Sequence, residues 1–464
     1  MKKTLALLLA VAFLSVAPSA PLSIETRTLA ASSKFQTVAN PIPNRYVVVL
    51  ATTDLSPVAD PTPTPATTTA TATKTAAPMT ARTSMTSALA TDSNSSAVAT
   101  GPTPDPQVVA TATSLTATYG GTFSNTWGVA LKGFRLNATD AQAIAMSGDS
   151  RVAFIVQDGA IIVGTPDTDP IVMTPDPNAD LNPQPHASWG LDRIDQHYLP
   201  LSDTYAYQND GTGVNAYVID TGILTTHWEF RGRASNIYDF ETEGSGNDCN
   251  GHGSHVAGII GGHTFGVAKN VRLFGVRVMN CEGTGAWSDV IDGVNFVTWH
   301  YAQPAQQGYP AVANMSLGGD SNRAVDAAVR NSIRAGVTYV VAAGNGNSDA
   351  AAYSPADITE AITVGATDRF DSRAEFSNYG PTLDLFAPGV GITSAWIGSD
   401  LMIATASGTS MASPHVAGVV ALYLQNHRTA SPATVRSALV GNATPGVVSN
   451  AGQESPNRLL FTNY

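Results

Sequence analysis

Apolar runs of strand length recur in the second half of the chain, at 214–219, 271–278, 311–315, 337–342 and 361–364. Helix-like segments at 255–261, 288–302, 324–335 and 410–426 alternate with them or follow them. Runs that are apolar at consecutive positions, not at every second one, belong to strands covered on both faces. Their alternation with helices predicts an α/β fold, a parallel sheet flanked by helices on both faces. In such sheets sites collect beyond the carboxyl ends of the strands.

The first half is less regular. Residues 45–50, Arg-Tyr-Val-Val-Val-Leu, read as a short β-branched strand. Asn137-Ala138-Thr139-Asp140 caps a predicted short helix at 141–146, and 152–156 and 160–163 read as strands around the turn Gln157-Asp158-Gly159. Together they predict a small α+β unit over 21–163. It is interrupted at 51–106, where Thr, Ala, Pro and Ser dominate. Such a stretch buries too little apolar surface to offset its ordering entropy, so disorder is expected there. Residues 164–186, rich in Pro and Asp, read as a linker, and 187–464 as the main domain.

The amino terminus sets the compartment. Met1-Lys2-Lys3 precedes an apolar stretch at 5–16 and the small residues Ala17, Ser19 and Ala20. This is the pattern of a secretory signal peptide over 1–20, too short for a comfortable membrane span. A secreted, extracellular protein is expected, in which a bridge between the two cysteines, Cys249 and Cys281, is chemically allowed. The net charge of −12 argues against nucleic acid and anionic membranes as partners.

Candidate chemistry lies at the edges of the predicted strands. Ser410, in Gly408-Thr409-Ser410-Met411, opens a helix, where free N–H groups favour a developing oxyanion. Alone it would read as a helix cap. Asp220 ends the first apolar run, His252 lies between glycines, and Asn345 follows Ala342-Ala343-Gly344. His255, three residues after His252, reads as a packed residue; a zinc pair would need a third ligand, and none is obvious nearby. Asp, His, Asn and Ser at successive rims of one sheet form a constellation for nucleophilic hydrolysis. An esterase of the α/β-hydrolase type needs its acid and histidine after the serine, and here both precede it.

The blocks Val218-Ile219-Asp220-Thr221-Gly222, Gly251-His252-Gly253-Ser254-His255, Ala342-Ala343-Gly344-Asn345 and Gly408-Thr409-Ser410-Met411-Ala412-Ser413-Pro414 resemble those of subtilisin-like serine proteases. Trp189-Gly190-Leu191-Asp192-Arg193-Ile194-Asp195, Asp248-Cys249-Asn250 and Phe376-Ser377-Asn378-Tyr379-Gly380 are similar to the proteinase K and aqualysin branch. The resemblance implies a nucleophile at Ser410, a base at His252, its orienting acid at Asp220 and an oxyanion donor at Asn345. It implies substrate-binding residues at Gly285, Ala286, Ser316, Leu317, Gly318, Ala342, Ala343 and Gly344, with a broad preference for apolar or aromatic side chains. It implies a Cys249–Cys281 disulfide and structural Ca2+. One calcium set would be Asp384 with the main-chain oxygens of Thr359 and Ala361. The other would be Asp192, Asp195 and Gln196, with Ser202 and Thr204 downstream. The α+β unit resembles an inhibitory propeptide, with the maturation site in or near 164–186. A monomeric enzyme acting on proteins is expected, with its own propeptide as intramolecular inhibitor and no organic cofactor, nucleic acid, membrane or C-terminal module.

Overall fold

The computed structural model describes residues 33–51, 101–240 and 246–464. The predicted signal peptide and 52–100 of the predicted disordered stretch lie outside the described residues. Among those described, no helix is long and apolar enough to cross a membrane.

The main sheet runs Ala234–Asp239, Arg272–Arg277, Asn215–Asp220, Ala311–Met315, Thr338–Ala342, Ile362–Thr367, Leu385–Pro388 and Arg458–Leu459, all parallel neighbours. Thr444–Pro445 closes one edge antiparallel. Asn215–Asp220 is buried throughout. Its residues alternate between two cores: Ala216 and Val218 pack with Val256, Ile260, Val416 and Val420. Tyr217 and Ile219 pack with Val290, Val294, Val325 and Val329 on the other face. Helices therefore cover both faces, His252–Gly261 and Thr409–Asn426 on one, Trp287–Tyr301 and Arg323–Arg334 on the other. Each fully buried Val or Ile contributes about 1.5–3 kcal/mol. This double coverage is why the strands read as continuous apolar runs.

The amino-terminal unit is a five-stranded sheet ordered Phe35–Gln36, Val152–Ile162, Pro41–Leu50, Gly133–Asn137 and Thr122–Trp127. Helices Pro106–Tyr119 and Asp140–Ser147 cover one face through Val108, Leu115, Ala143 and Met146. The other face, with Val47, Val49 and Val156, shares the core of helix Trp287–Tyr301. Polar contacts register the docking. Arg45 and Arg135 reach Asp289, and Arg135 also reaches Asp292. Asn295 Oδ1 accepts from the Val129 and Ala130 amides, both at 3.0 Å.

The expected turn at Gln157-Asp158-Gly159 is absent. Val152–Ile162 is one strand running straight through it. Asp158 is buried and accepts from the Ser288 amide at 3.0 Å, from Ser288 Oγ at 2.6 Å and from Arg45 Nε at 2.5 Å. Tertiary partners take the carboxylate that a turn would have used. The predicted linker is tied down twice, Ile171–Val172 pairing with Met402–Ala406 and Gln184–Pro185 with Thr204–Tyr205.

Candidate active site

Asp220 ends its strand with its side chain buried, and both carboxylate oxygens face His252 Nδ1, at 2.8 and 3.0 Å. The Thr221 amide donates to Asp220 Oδ1 at 2.8 Å, a second restraint on the carboxylate. His252 opens helix His252–Gly261 from Gly251, whose φ of +111° suits glycine. A Cβ at Gly251 would meet the Trp396 ring at 2.4 Å, so the position also needs the missing side chain. Asp248 organises this helix start. It accepts from the amides of Asn250, Gly251 and Ser254 and from Thr221 Oγ1, all at 2.8–2.9 Å. Thr221 Oγ1 in turn accepts from the Gly253 amide at 2.9 Å. One buried acid thus joins the strand bearing Asp220 to the helix bearing His252.

Burial pulls the His252 pKa down, but the charge and hydrogen bond of Asp220, with the charge of Asp248, outweigh it and leave it above the ordinary value of 6.5. His252 Nε2 is buried without a hydrogen-bond partner. His255 has a different setting. Its Nε2 lies 3.1 Å from the Ile392 and Ala404 carbonyls, and burial and the neighbouring His252 push it down to about 3. It is a neutral packed residue, as expected from sequence.

Ser410 stands in the first turn of Thr409–Asn426, which packs against His252–Gly261. Its Oγ donates to the Ser316 carbonyl at 3.1 Å, and Ser316 Oγ donates to the Ser410 carbonyl at 2.7 Å. Asn314 supports this exchange, donating from Nδ2 to Ser316 Oγ at 2.9 Å and accepting from Ser413 Oγ at 2.7 Å. The Thr409 amide and Thr409 Oγ1 both donate to Asn345 Oδ1 at 2.9 Å, which leaves Asn345 Nδ2 as the outward end of that amide.

Ser410 and Asn345 line a cavity of about 230 Å³ with Ser316, Leu317, Gly318, Ala342, Ala343 and Gly344. Tyr353, Ser354 and Ala356, not singled out in the sequence, line it too, as does Asn378. Asn378 braces it, donating to the Ala343 carbonyl at 2.8 Å and accepting from the Gly346 and Ser348 amides. Gly285 and Ala286 lie in the strand Thr284–Ala286, which pairs antiparallel with the end of Val152–Ile162. The Cys249–Cys281 disulfide joins the loop before His252 to the loop before that strand. In the chain-entropy model a 32-residue separation makes it worth about 3–4 kcal/mol.

The two implied calcium sets fare differently. Asp384 Oδ1 pairs with Arg436 Nη2 at 2.6 Å, and Oδ2 accepts from the Thr363 amide at 3.0 Å. A guanidinium already neutralises this acid, so Thr359, Ala361 and Asp384 do not fit a divalent cation as arranged. The second set fits better. Asp192 accepts from the Ser202 amide and hydroxyl and from the Asp203 amide, at 2.8–3.0 Å. Asp195 is pushed up to about 6 by burial and by the charge of Asp192, against a bond from the Ala206 amide. Gln196 Nε2 is tied to the Tyr198 and Pro200 carbonyls, which leaves Oε1 as its available oxygen. Two crowded acids with neutral oxygens suit a hard cation. They are only two; among the described residues no group of three or more His, Cys, Asp or Glu side chains is placed to hold a metal.

A hydroxyl at a helix start, an imidazole held by a buried acid and a side-chain amide lie at the rim of one parallel sheet, the kinds of group that nucleophilic hydrolysis uses. The chain belongs to the Subtilase family (Peptidase_S8), whose sequence profile matches residues 211–459. It is 53% identical over 336 residues to an extracellular serine proteinase of Thermus sp. (strain Rt41A), covering 72% of this chain and 76% of that one. It is 48% identical to alkaline serine exoprotease A of Vibrio alginolyticus, over 72% of this chain and 59% of that one. Proteinase R of Parengyodontium album is 44% identical over 61% of this chain and 71% of its own. The solved structure of a cold adapted subtilisin-like serine proteinase, 50% identical, superposes with a TM-score of 0.57 over 60% of this chain and 98% of that one. The chain is a subtilisin-like serine proteinase of the proteinase K-like branch, a peptide hydrolase.

Proposed function

We propose that the protein is a secreted serine endopeptidase made as a zymogen, working through Asp220, His252 and Ser410. The observation that carries this reading is the buried Asp220–His252 pair, with Nδ1 committed to the acid and Nε2 unpartnered. Ser410 Oγ attacks the substrate carbonyl, and His252 Nε2 takes its proton and later gives it to the leaving amine. Asp220 fixes the tautomer and stabilises the imidazolium. Asn345 Nδ2 and the Ser410 amide receive the oxyanion. Extended substrate pairs with Thr284–Ala286 by strand addition, as the chain's own 160–162 does. The cavity walls, Leu317, Ala342, Ala343 and Ala356, carry no charge and favour apolar or aromatic side chains. The test is a serine-directed phosphonate applied to the processed enzyme: it labels Ser410 and stops hydrolysis of a protein substrate. Labelling elsewhere with activity retained sinks the reading.

The unit formed by 33–51 and 101–163, docked on Trp287–Tyr301, acts as the inhibitory propeptide. Its last strand fills the substrate track. Catalysis needs neutral His252, whose pKa lies above 6.5. The expected kcat/KM is therefore constant at alkaline pH and falls about tenfold per unit on the acid side, with a midpoint above 6.5. A rate that stays level from pH 8 to pH 5 contradicts the assignment of the base.

Bound calcium at Asp192, Asp195 and Gln196 supplies stability and takes no part in bond cleavage. Saturation at 100 times the dissociation constant is worth about 2.7 kcal/mol. Chelator is then expected to lower Tm by about 5–10 °C. In an Asp195→Asn variant, calcium no longer moves Tm. Equal melting curves with and without chelator in the parent remove the calcium claim.

A further inference from the structure

We infer that the bond this protein cuts in itself is Gly164–Thr165, and that Gly164 leaves the side-chain cavity beside Ser410 unfilled. The inference rests on the zymogen reading and gives it a specific bond. Ala160, Ile161 and Ile162 pair with Ala286, Gly285 and Thr284, and the Val163 amide continues the ladder to the Gly283 carbonyl at 2.9 Å. Side chains alternate along this segment. Ile161 is 3% exposed and shares a core with Trp287 and Leu317, Ile162 is 67% exposed, and Val163 packs back on the same core. Beyond, the chain is pinned again where the Asp167 amide donates to the Thr405 carbonyl at 2.8 Å and Ser407 Oγ donates to Asp167 Oδ2 at 2.5 Å.

The chain is thus anchored at Val163 and at Asp167 and passes between them along the cavity that Ser410 lines. Of this passage, only Val163 and Gly164 line the cavity that holds Ser410 and Asn345, and Thr165 lies outside it. Val163 is committed to the core on the Gly283 side. Gly164 is therefore the acyl residue and Thr165 the amine residue. A Cβ built on Gly164 meets nothing within 4 Å, so Gly164 itself puts no side chain into the cavity of about 230 Å³, which Ile162 and Val163 also line. The segment is held by its backbone and by Ile161 and Val163.

In the cut, Ser410 Oγ bonds to the Gly164 carbonyl carbon and the bond to the Thr165 nitrogen breaks. The serine proton passes through His252 to that nitrogen. Water then hydrolyses the acyl-serine, leaving a Gly164 carboxylate and restoring the hydroxyl. An unfilled pocket contributes no binding to the transition state, so this self-cut is slow for the site that performs it.

The full-length chain, sampled early in processing with amino-terminal labelling and mass spectrometry, is expected to show Thr165 as the first new amino terminus and a partner fragment ending at Gly164. A Gly164→Phe variant is expected to be cut at the same bond about tenfold faster or more, since one well-filled apolar pocket is worth that much. Gly164 is exposed and not at positive φ, so the backbone accepts phenylalanine. A first cut at another bond, with Ser410→Ala uncut, overturns the assignment and leaves the zymogen reading intact. Unchanged or slower processing of Gly164→Phe overturns the unfilled pocket. Processing of pure Ser410→Ala at the parent rate overturns the zymogen reading itself.

Discussion

Ser410→Ala removes peptide hydrolysis, with kcat lower by about 10⁶, the loss known for the subtilisin nucleophile. The fold should be unaffected. The parent hydroxyl makes one hydrogen bond, to the Ser316 carbonyl, and the reverse bond from Ser316 Oγ uses the Ser410 backbone, which alanine keeps. The variant should therefore melt within about 1 °C of the uncut parent and accumulate as the precursor. Kinetics on a chromogenic peptide and a melting curve read both halves. Retained hydrolysis would assign the nucleophile elsewhere.

Asp220→Asn is expected to lower kcat by about 10⁴, the cost of presenting the wrong imidazole tautomer in the serine-protease triad. The reason is visible at Nδ1, which now donates to a carboxylate at 2.8 Å and would face an amide that can donate itself. The same change removes the carboxylate charge that raises His252, so the acid limb of the pH profile should move to lower pH. Loss of rate with an unmoved profile would mean that Asp220 matters only to folding. The Thr221 amide and the Asp248 cluster keep the helix start in place in either case.

The readable parts of this molecule were those whose physics is local. Strands buried on both faces read as apolar runs, and four short motifs marked Asp220, His252, Asn345 and Ser410. Elements stabilised from outside were harder. Ala234–Asp239 is polar in sequence and becomes a strand by pairing with Arg272–Arg277. Helix Pro106–Tyr119 is rich in Thr and β-branched residues, and its apolar stripe is only Val108, Ala112 and Leu115. Gln157-Asp158-Gly159 has turn chemistry, and the partner that overrides it lies 130 residues away at Ser288. The bracing residues Asp248, Asn314 and Ser413 have roles that depend on distant partners. One signal was available: Asn314 is a polar side chain inside the apolar strand Ala311–Met315, and a buried polar group needs a partner. The Arg436 guanidinium at Asp384 could not have been read from spacing, since 52 positions separate the two.

The continuous strand from Val152 through Ile162 also governs the response to dilution. While the Gly164–Thr165 link is whole, the blocking strand is tethered to its own cleft. Its effective concentration is then of millimolar order, whatever the amount of protein present. Once the link is cut, blockade becomes an encounter between two molecules and depends on how many there are per volume. Once cut, the same protein should stay silent when concentrated and become active when diluted.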